Sequence, residues 1–282
     1  MSLLKDLRVP RGPVNLSKYS TDSFPDADGD AKKSGEQELR ELGPKLLELQ
    51  TKLFAHREKH DAQSVLLVLQ GMDGSGKGGV LKHTVGLVDP VGVKITSFQG
   101  PTALERAHNF LWRIENAVPP RGYLGVFDRS HYEDVLIQRV RSMAPAKEIE
   151  RRYGAINDFE QRLVDNGTVI LKCMLHMSPA EQKRRLLARL DDPAKYWKYR
   201  PEDVDERQLW AEYMMAYEIV LERTNTKAAP WHIVPSDKKW YRNLAIARLL
   251  EETLDGMKLE WPEATFDIEF ERRRLKADTI SD

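Results

Sequence analysis

Residues 71–78 read Gly-Met-Asp-Gly-Ser-Gly-Lys-Gly, and the apolar run 65–70 leads straight into them. A strand that empties into a glycine-rich loop with a lysine, followed by a helix, is the setting in which this spacing binds phosphate. Gly74, Gly76 and Gly78 allow the backbone to turn and approach an anion closely, and with Ser75 they would direct amide hydrogens at it. The ammonium of Lys77 would lie on the phosphate being transferred. A tight strand-to-helix turn is the rival reading of the glycines alone. The lysine and the flanking elements favour a phosphate site.

The loop departs from the general motif at one position. Gly78 stands where a Ser or Thr hydroxyl would ligate magnesium. Mg²⁺, or Mn²⁺ in its place, would then need other hard oxygen ligands. Asp73 in the loop is one source, and Asp128, directly after the run 123–127, is a second. In a parallel sheet, ligand groups gather at the carboxyl ends of the strands, so both carboxylates could face one phosphate chain. The competing reading of Asp128 is a cap or an ion pair with Arg129.

A second concentration of charge lies at 181–200, where seven basic side chains stand against three acidic ones. Arg185 and Arg189 are one helical turn apart, and guanidinium forks suit phosphate oxygens. A solvated helix with a Glu181–Arg185 pair is the alternative. The string Lys195-Tyr-Trp-Lys-Tyr-Arg200 could stack on bases. Its aromatic residues serve as well to anchor the segment on the helix that follows, and nucleic acid is not expected as a partner. His56 and His60 have metal-ligand spacing, but Arg57 occupies the place where a zinc protease needs glutamate, so they are read as facing solvent.

The elements that must carry these groups show in the pattern. Five short runs rich in β-branched or aromatic residues, 65–70, 93–98, 123–127, 168–175 and 231–234, alternate with helical stretches. That alternation indicates an α/β fold, a parallel sheet covered by helices on both faces. Leucines at 39, 42, 46, 49 and 53 form one stripe of a helix over 36–60, packed on the protein's own sheet or used as a dimer seam. Pro44 predicts a kink or a fresh start within it. Thr102 and Glu105 have capping-box spacing before a helix bearing Leu104, Leu111 and Ile114, and Ser178-Pro-Ala-Glu181 repeats the device. One long helix is expected over about 204–223. Residues 1–35 read as an extended arm without assigned elements, and 36–282 as a single domain.

Composition sets outer limits. The 282 residues hold 44 Lys plus Arg and 44 Asp plus Glu, which argues against a uniformly basic nucleic-acid binder. The single cysteine, Cys173, sits in an apolar run and reads as a small buried residue, consistent with a reducing cytoplasm. The longest aliphatic stretch, 65–69, falls far short of the roughly 18 residues of a membrane span, and no apolar leader is evident. A soluble cytoplasmic protein with no membrane partner is expected.

Taken in order, the loop 71–78, Gly100-Pro-Thr102, Phe110-Leu-Trp-Arg113, Phe127-Asp-Arg-Ser-His-Tyr-Glu-Asp-Val135 and Pro230-Trp-His-Ile-Val-Pro-Ser-Asp237 resemble the family-2 polyphosphate kinases. The likeness runs from about residue 39 to 250. It implies a P-loop kinase-like core with a helical lid, here at about 179–205. The activity it implies moves the terminal phosphate of inorganic polyphosphate to ADP, reversibly, with AMP and guanine nucleotides as further acceptors. Gly78 is that family's own pattern. By the same resemblance Lys77 handles phosphate, Asp73 and Asp128 organise metal and phosphate, and Arg129 contacts the moving group. Lys82, Arg185 and Arg189 would hold the polymer. The His131-Tyr-Glu133-Asp string resembles members that also accept AMP, with Glu133 near the acceptor, although those members often carry Asn at the position of Asp128. A homodimer or homotetramer is the family's habit. A nucleoside monophosphate kinase using ATP, and a non-catalytic P-loop nucleotide-binding module, are the alternatives. The charge equality resolves into opposed regions, since 201–223 and 251–282 each carry a surplus of five acidic side chains.

Overall fold

The computed structural model describes residues 2–23 and 30–278. Residues 1 and 24–29 of the expected arm and 279–282 of the expected domain lie outside the described residues. Five strands, β1 (Ser64–Gln70), β2 (Val93–Ser97), β3 (Leu124–Asp128), β4 (Thr168–His176) and β5 (Trp231–Pro235), form one sheet in the order β2-β3-β1-β4-β5. Every pairing is parallel. The five runs expected from the sequence are these five strands, with ends shifted by one residue. The longer helices are α1 (Ala31–Ala55), α2 (Lys77–His83), α3 (Ala146–Asp165) and α4 (Pro179–Leu190), then α5 (Glu202–Gln208), α6 (Trp210–Thr224), α7 (Lys239–Gly256) and α8 (Ile268–Lys276).

Every residue of β1 is buried, because helices cover both faces of the sheet. Leu66 and Val68 belong to a core with Ile156 and Phe159 of α3 and Tyr217 and Leu221 of α6. Val65, Leu67 and Leu69, on the other face, belong to a core with Leu46 and Leu53 of α1 and Ile246 and Leu250 of α7. Cys173 lies in this second core as a free thiol, and burial pushes its pKa far above the ordinary value.

Four expectations about helices are corrected. α1 starts at Ala31, capped by the Asp30 side chain, and runs unbroken through Pro44. Pro44 and Arg40 are exposed, so water can serve the Arg40 carbonyl that proline leaves without a donor. The helix expected over 204–223 is two helices, with Leu209 leaving helical geometry at ψ 24°. The break lets α5 lie on α4, where Arg207 donates to Pro179 O (2.6 Å) and Gln182 Oε1 (3.0 Å), while α6 enters the core. The Thr102–Glu105 capping box forms, but its helix ends at Arg106; Leu104 is left exposed, and Leu111 and Ile114 are buried further on. At Ser178 only half the device repeats: its hydroxyl accepts from Glu181 N, whereas the Glu181 carboxylate pairs with Arg184 and Arg185.

A fifth correction concerns the arm. It has helical turns at Leu3–Asp6 and Leu16–Lys18 and buries Leu3, Val9 and Leu16. Val9 N donates to Trp231 O (2.8 Å) and Ile233 N to Leu7 O (3.0 Å). β5 is an edge strand whose open side needs hydrogen-bond partners, and the arm supplies them. Among the described residues no helix is long and apolar enough to cross a membrane.

The leucine stripe closes on the protein's own core: Leu46 and Leu53 are buried, and a Cβ on Gly35 of the same helix would come within 2.4 Å of the Trp240 ring on α7. Leu46→Ala should therefore cost about 2–5 kcal/mol in urea unfolding, independent of protein concentration. Leu47→Ala, at an exposed site of the same helix, should change stability by no more than about 0.5 kcal/mol. A concentration-dependent loss at Leu46 would indicate the dimer seam instead.

Candidate active site

The carboxyl ends of β1 and β3 and the start of α2 open onto a cavity of about 950 Å³, walled on the far side by α4 and the 3₁₀ turn Pro193–Lys198. Between β1 and α2 the chain folds back through Gly71 (φ 150°), Gly74 (φ 82°) and Gly76 (φ 106°), a region that side chains strongly disfavour. Gly74, Gly76 and Gly78 line the cavity. Nothing lies within 4 Å of a Cβ placed on Gly78, so packing does not impose the missing hydroxyl. Gly76 and Gly79 are different. A Cβ there would fall 1.8 Å and 2.5 Å from the Arg242 guanidinium, which α7 presses onto the loop.

Lys77 is buried at the cavity wall, donating to Gly71 O (2.8 Å) and more distantly to Met72 O (3.5 Å). Burial lowers its pKa, although Asp73 opposes the shift. Asp128 ends β3, in register with Leu69 of β1 and Ser97 of β2. The next residue, Arg129, holds a left-handed backbone (φ 63°), a conformation that costs about 1–3 kcal/mol. Its guanidinium turns to Asp73 Oδ1 at 2.5 Å, so the ion pair is made with Asp73 and not with its neighbour Asp128. Burial resists ionisation of Asp73, but Lys77 and Arg129 outweigh it and hold the carboxyl below its ordinary range. Glu133 lies on the turn His131–Asp134. Burial raises its pKa, and Arg129 and Lys77 offset only part of that rise.

The two arginines of α4 differ. Arg185 is 7 % exposed, and all five of its N–H groups have protein acceptors. Nε donates to Glu181 (2.6 Å), one terminal nitrogen to Gly74 O (2.9 Å) and Ser75 O (3.0 Å), the other to Ser236 O (2.5 Å) and Asp237 O (3.0 Å). It is a brace beneath the loop, with no donor left for a polymer. Arg189 donates only through one terminal nitrogen, to Lys198 O (2.9 Å) and Asp203 (3.1 Å). Its other terminal nitrogen lies beside Gly74, and Arg189 lines the cavity. Ser75 is also corrected: its N–H donates to Met72 O (3.0 Å), its buried hydroxyl lies under Gly71, and it does not line the cavity.

Arg242 was not singled out by sequence reasoning. It is buried and pairs with no carboxylate among the described residues; its bonds go to Ser75 O (3.1 Å) and Asn243 Oδ1 (2.9 Å). Burial and then Arg185 press its pKa below the ordinary value, the signature of a cation short of compensating charge. A lone arginine in a helix pattern gives no signal of this. Lys82, Lys195, Lys198 and Arg200 also line the cavity. Tyr196 and Trp197 do not anchor the segment, since both are exposed, Trp197 at 78 %. The Arg189–Asp203 pair and Arg207 hold α4 to α5 instead. His56 faces Lys52 O, and no group of three or more metal-ligating side chains occurs among the described residues. In all, eleven lysines and arginines against three aspartates line the cavity of a chain with no net charge.

A parallel sheet of this order, with a glycine loop and lysine after the central strand and a carboxylate at the end of its neighbour, defines an α/β fold of the P-loop kinase type. The family "Polyphosphate kinase 2" matches residues 29–262, and the chain belongs to it. Its sequence is 41% identical over 261 residues to the AMP/ADP-polyphosphate phosphotransferase of Meiothermus ruber, covering 92% of this chain and 96% of that one. It is 39% identical to the ADP-polyphosphate phosphotransferase of Rhodopseudomonas palustris, covering 93% of each. The crystal structure of polyphosphate kinase 2 from Arthrobacter aurescens superposes with a TM-score of 0.94 at 49% identity, over 99% of this chain and 98% of that one.

The brace and the cavity arginine should separate by mutation. Arg185→Ala leaves Glu181 and four carbonyls short of a donor, and should cost about 3–5 kcal/mol in denaturant unfolding. Arg189→Ala should cost less than about 1 kcal/mol and should flatten the dependence of polyphosphate affinity on ionic strength, read by titration from low to high salt. Equal stability losses would return both to one role.

Proposed function

We propose that this chain transfers the terminal phosphate of inorganic polyphosphate to ADP, reversibly, with AMP and guanine nucleotides as further acceptors. It is a polyphosphate-dependent nucleotide phosphotransferase. The observation that carries the reading is the cavity wall: a phosphate loop at one end and a surplus of eight positive charges around it, in a neutral chain. An anion of many charges fits that wall better than a single nucleotide does. The relative from Meiothermus ruber, named for both AMP and ADP, favours the wider acceptor range.

The chemistry needs no enzyme nucleophile. An oxygen of the nucleotide's last phosphate attacks the terminal phosphorus of the polymer in line, and the bond from that phosphorus to the bridging oxygen breaks, leaving the chain one phosphate shorter. Lys77 and Arg129 would neutralise the moving group, which requires each to exchange a present partner, the loop carbonyls for Lys77 and Asp73 for Arg129. Asp73 and Asp128 both line the cavity, and magnesium commonly takes one or two carboxylates plus phosphate oxygens, so this pair suits Mg²⁺ or Mn²⁺. The metal would supply screening of the flanking oxygens. Lys82, Arg189 and Arg242 are assigned to the polymer, with Gly74, Gly76 and Gly78 at its terminal phosphate. Glu133 is assigned to the acceptor side, and Arg185 is reassigned to positioning the loop.

A cytoplasmic homodimer or homotetramer is part of the proposal. Its interface lies elsewhere than the leucine stripe, which α7 already covers. Size-exclusion chromatography with light scattering tests this.

Protein, Mg²⁺, ADP and long-chain polyphosphate should yield ATP by luminescence, and chelation by EDTA should abolish it. Lys77→Ala should lower turnover 100-fold or more, about 3 kcal/mol of transition-state stabilisation. ADP formed from ATP plus AMP, with no ATP formed from polyphosphate, would point to a monophosphate kinase. Nucleotide binding without any product would point to a binding module.

A further inference from the structure

Beneath the turn that follows β3 lies a buried polar network that the reaction does not touch. Lys172, in the middle of β4, has no exposed surface. Its three N–H groups are all used, on Glu160 Oε2 (2.6 Å), the Tyr132 hydroxyl (2.8 Å) and Thr224 O (2.8 Å). Glu160 of α3 takes the Tyr132 hydroxyl (2.6 Å) and His131 Nε2 (3.2 Å) on its other oxygen. The Lys172 ammonium also sits 5.3 Å and 5.0 Å from the Tyr132 and Trp231 ring centres.

Such a pair is a poor source of stability, because taking two charges out of water costs about as much as their attraction returns. Its effect here is on position. His131 and Tyr132 are two of the three residues, with Ser130, between Arg129, held at φ 63°, and Glu133. The same turn is tied on its other side to Gln70, which, with its amide set to satisfy both ends, donates to Glu133 (3.1 Å) and accepts from Ser130 N (3.1 Å) and Oγ (3.0 Å). The cavity wall assigned to the polymer rests on α2, α4, α7 and the turn Pro193–Lys198, none of which the network bonds to.

We propose that Lys172 and Glu160 are positioning residues that act through His131 and Tyr132 to fix Glu133 against the acceptor nucleotide and Arg129 where the acceptor meets the moving phosphoryl group. The proposal rests on the function given above and deepens its acceptor half. Neither residue meets a substrate, so neither is catalytic.

The test is a double variant, Lys172→Met with Glu160→Gln, which removes both charges together, and Tyr132→Phe, which cuts the link but keeps the ring packed. Both should melt within a few degrees of the parent protein. In steady-state assays kcat should fall about tenfold or more and the KM for ADP should rise, with the KM for polyphosphate unchanged; Tyr132→Phe should show the same split in smaller measure. Hydrogen–deuterium exchange gives a readout free of activity: residues 129–135 should exchange faster in the variants, and residues 71–79 and 181–198 at the parent rate. Unchanged exchange at 129–135, or loosening of all three segments alike, overturns the proposal. So do parallel changes in both KM values. If the parent protein makes no ATP from polyphosphate, the functional reading fails, and the exchange pattern still decides whether the network fixes the turn.

Discussion

Five N–H groups on one guanidinium organise the centre of this protein. Arg185 leaves α4, enters the gap under the phosphate loop and meets acceptors from three separate segments: the loop itself, the link between β5 and α7, and Glu181 on its own helix. Only a planar fork with fixed donor directions can satisfy so many carbonyls at once. The Ser75 carbonyl is held by Arg185 and Arg242 together. Because the peptide unit is planar and trans, holding that oxygen sends the Gly76 N–H the opposite way. The geometry of the loop is thus set partly from below, by Arg185 and by one terminal nitrogen of Arg242.

The cations around the cavity accordingly fall into two populations. Some are saturated by the protein and give shape. Others, Arg189 and Arg242 among them, have donors to spare or lack a countercharge, and they make the cavity receptive. Asp73 mediates between the populations. Its ionised form is sustained by Lys77 and Arg129, so it stays charged and available to a cation. One carboxylate thereby keeps two positive groups close to where a phosphate would arrive.

Much of this could be read from the chain. The five strands are short, β-branched and bounded by turn residues, so local pattern and tertiary environment agree, and the loop lysine and Asp128 follow directly from strand ends. Other features depend on geometry that has no local signature. Arg185 and Arg189 are equivalent in sequence, one turn apart on one basic face, and only the position of α4 over the loop makes the first a brace. Ser75 has the right spacing for a phosphate ligand, yet its N–H is taken by Met72 O and its hydroxyl lies buried against Gly71. Leu209 breaks a pattern that is helical on both sides. The edge of β5 needed covering, and nothing in residues 2–23 announces that they do it. Lys172 was invisible for the opposite reason, since a lysine inside an apolar run looks like an interruption until its three partners are seen.

The surplus of eight positive charges on one wall, in a chain whose charges sum to zero, makes the molecule a large electric dipole. A polyanion approaching from solution meets a torque before it meets a surface, and the protein turns its open side toward the incoming chain. That guidance reaches only about 8 Å at physiological ionic strength. Orientation in the encounter is therefore a short-range affair, and the same neutrality that lets the back of the protein go unnoticed by polyanions leaves its encounter rate exposed to the salt around it.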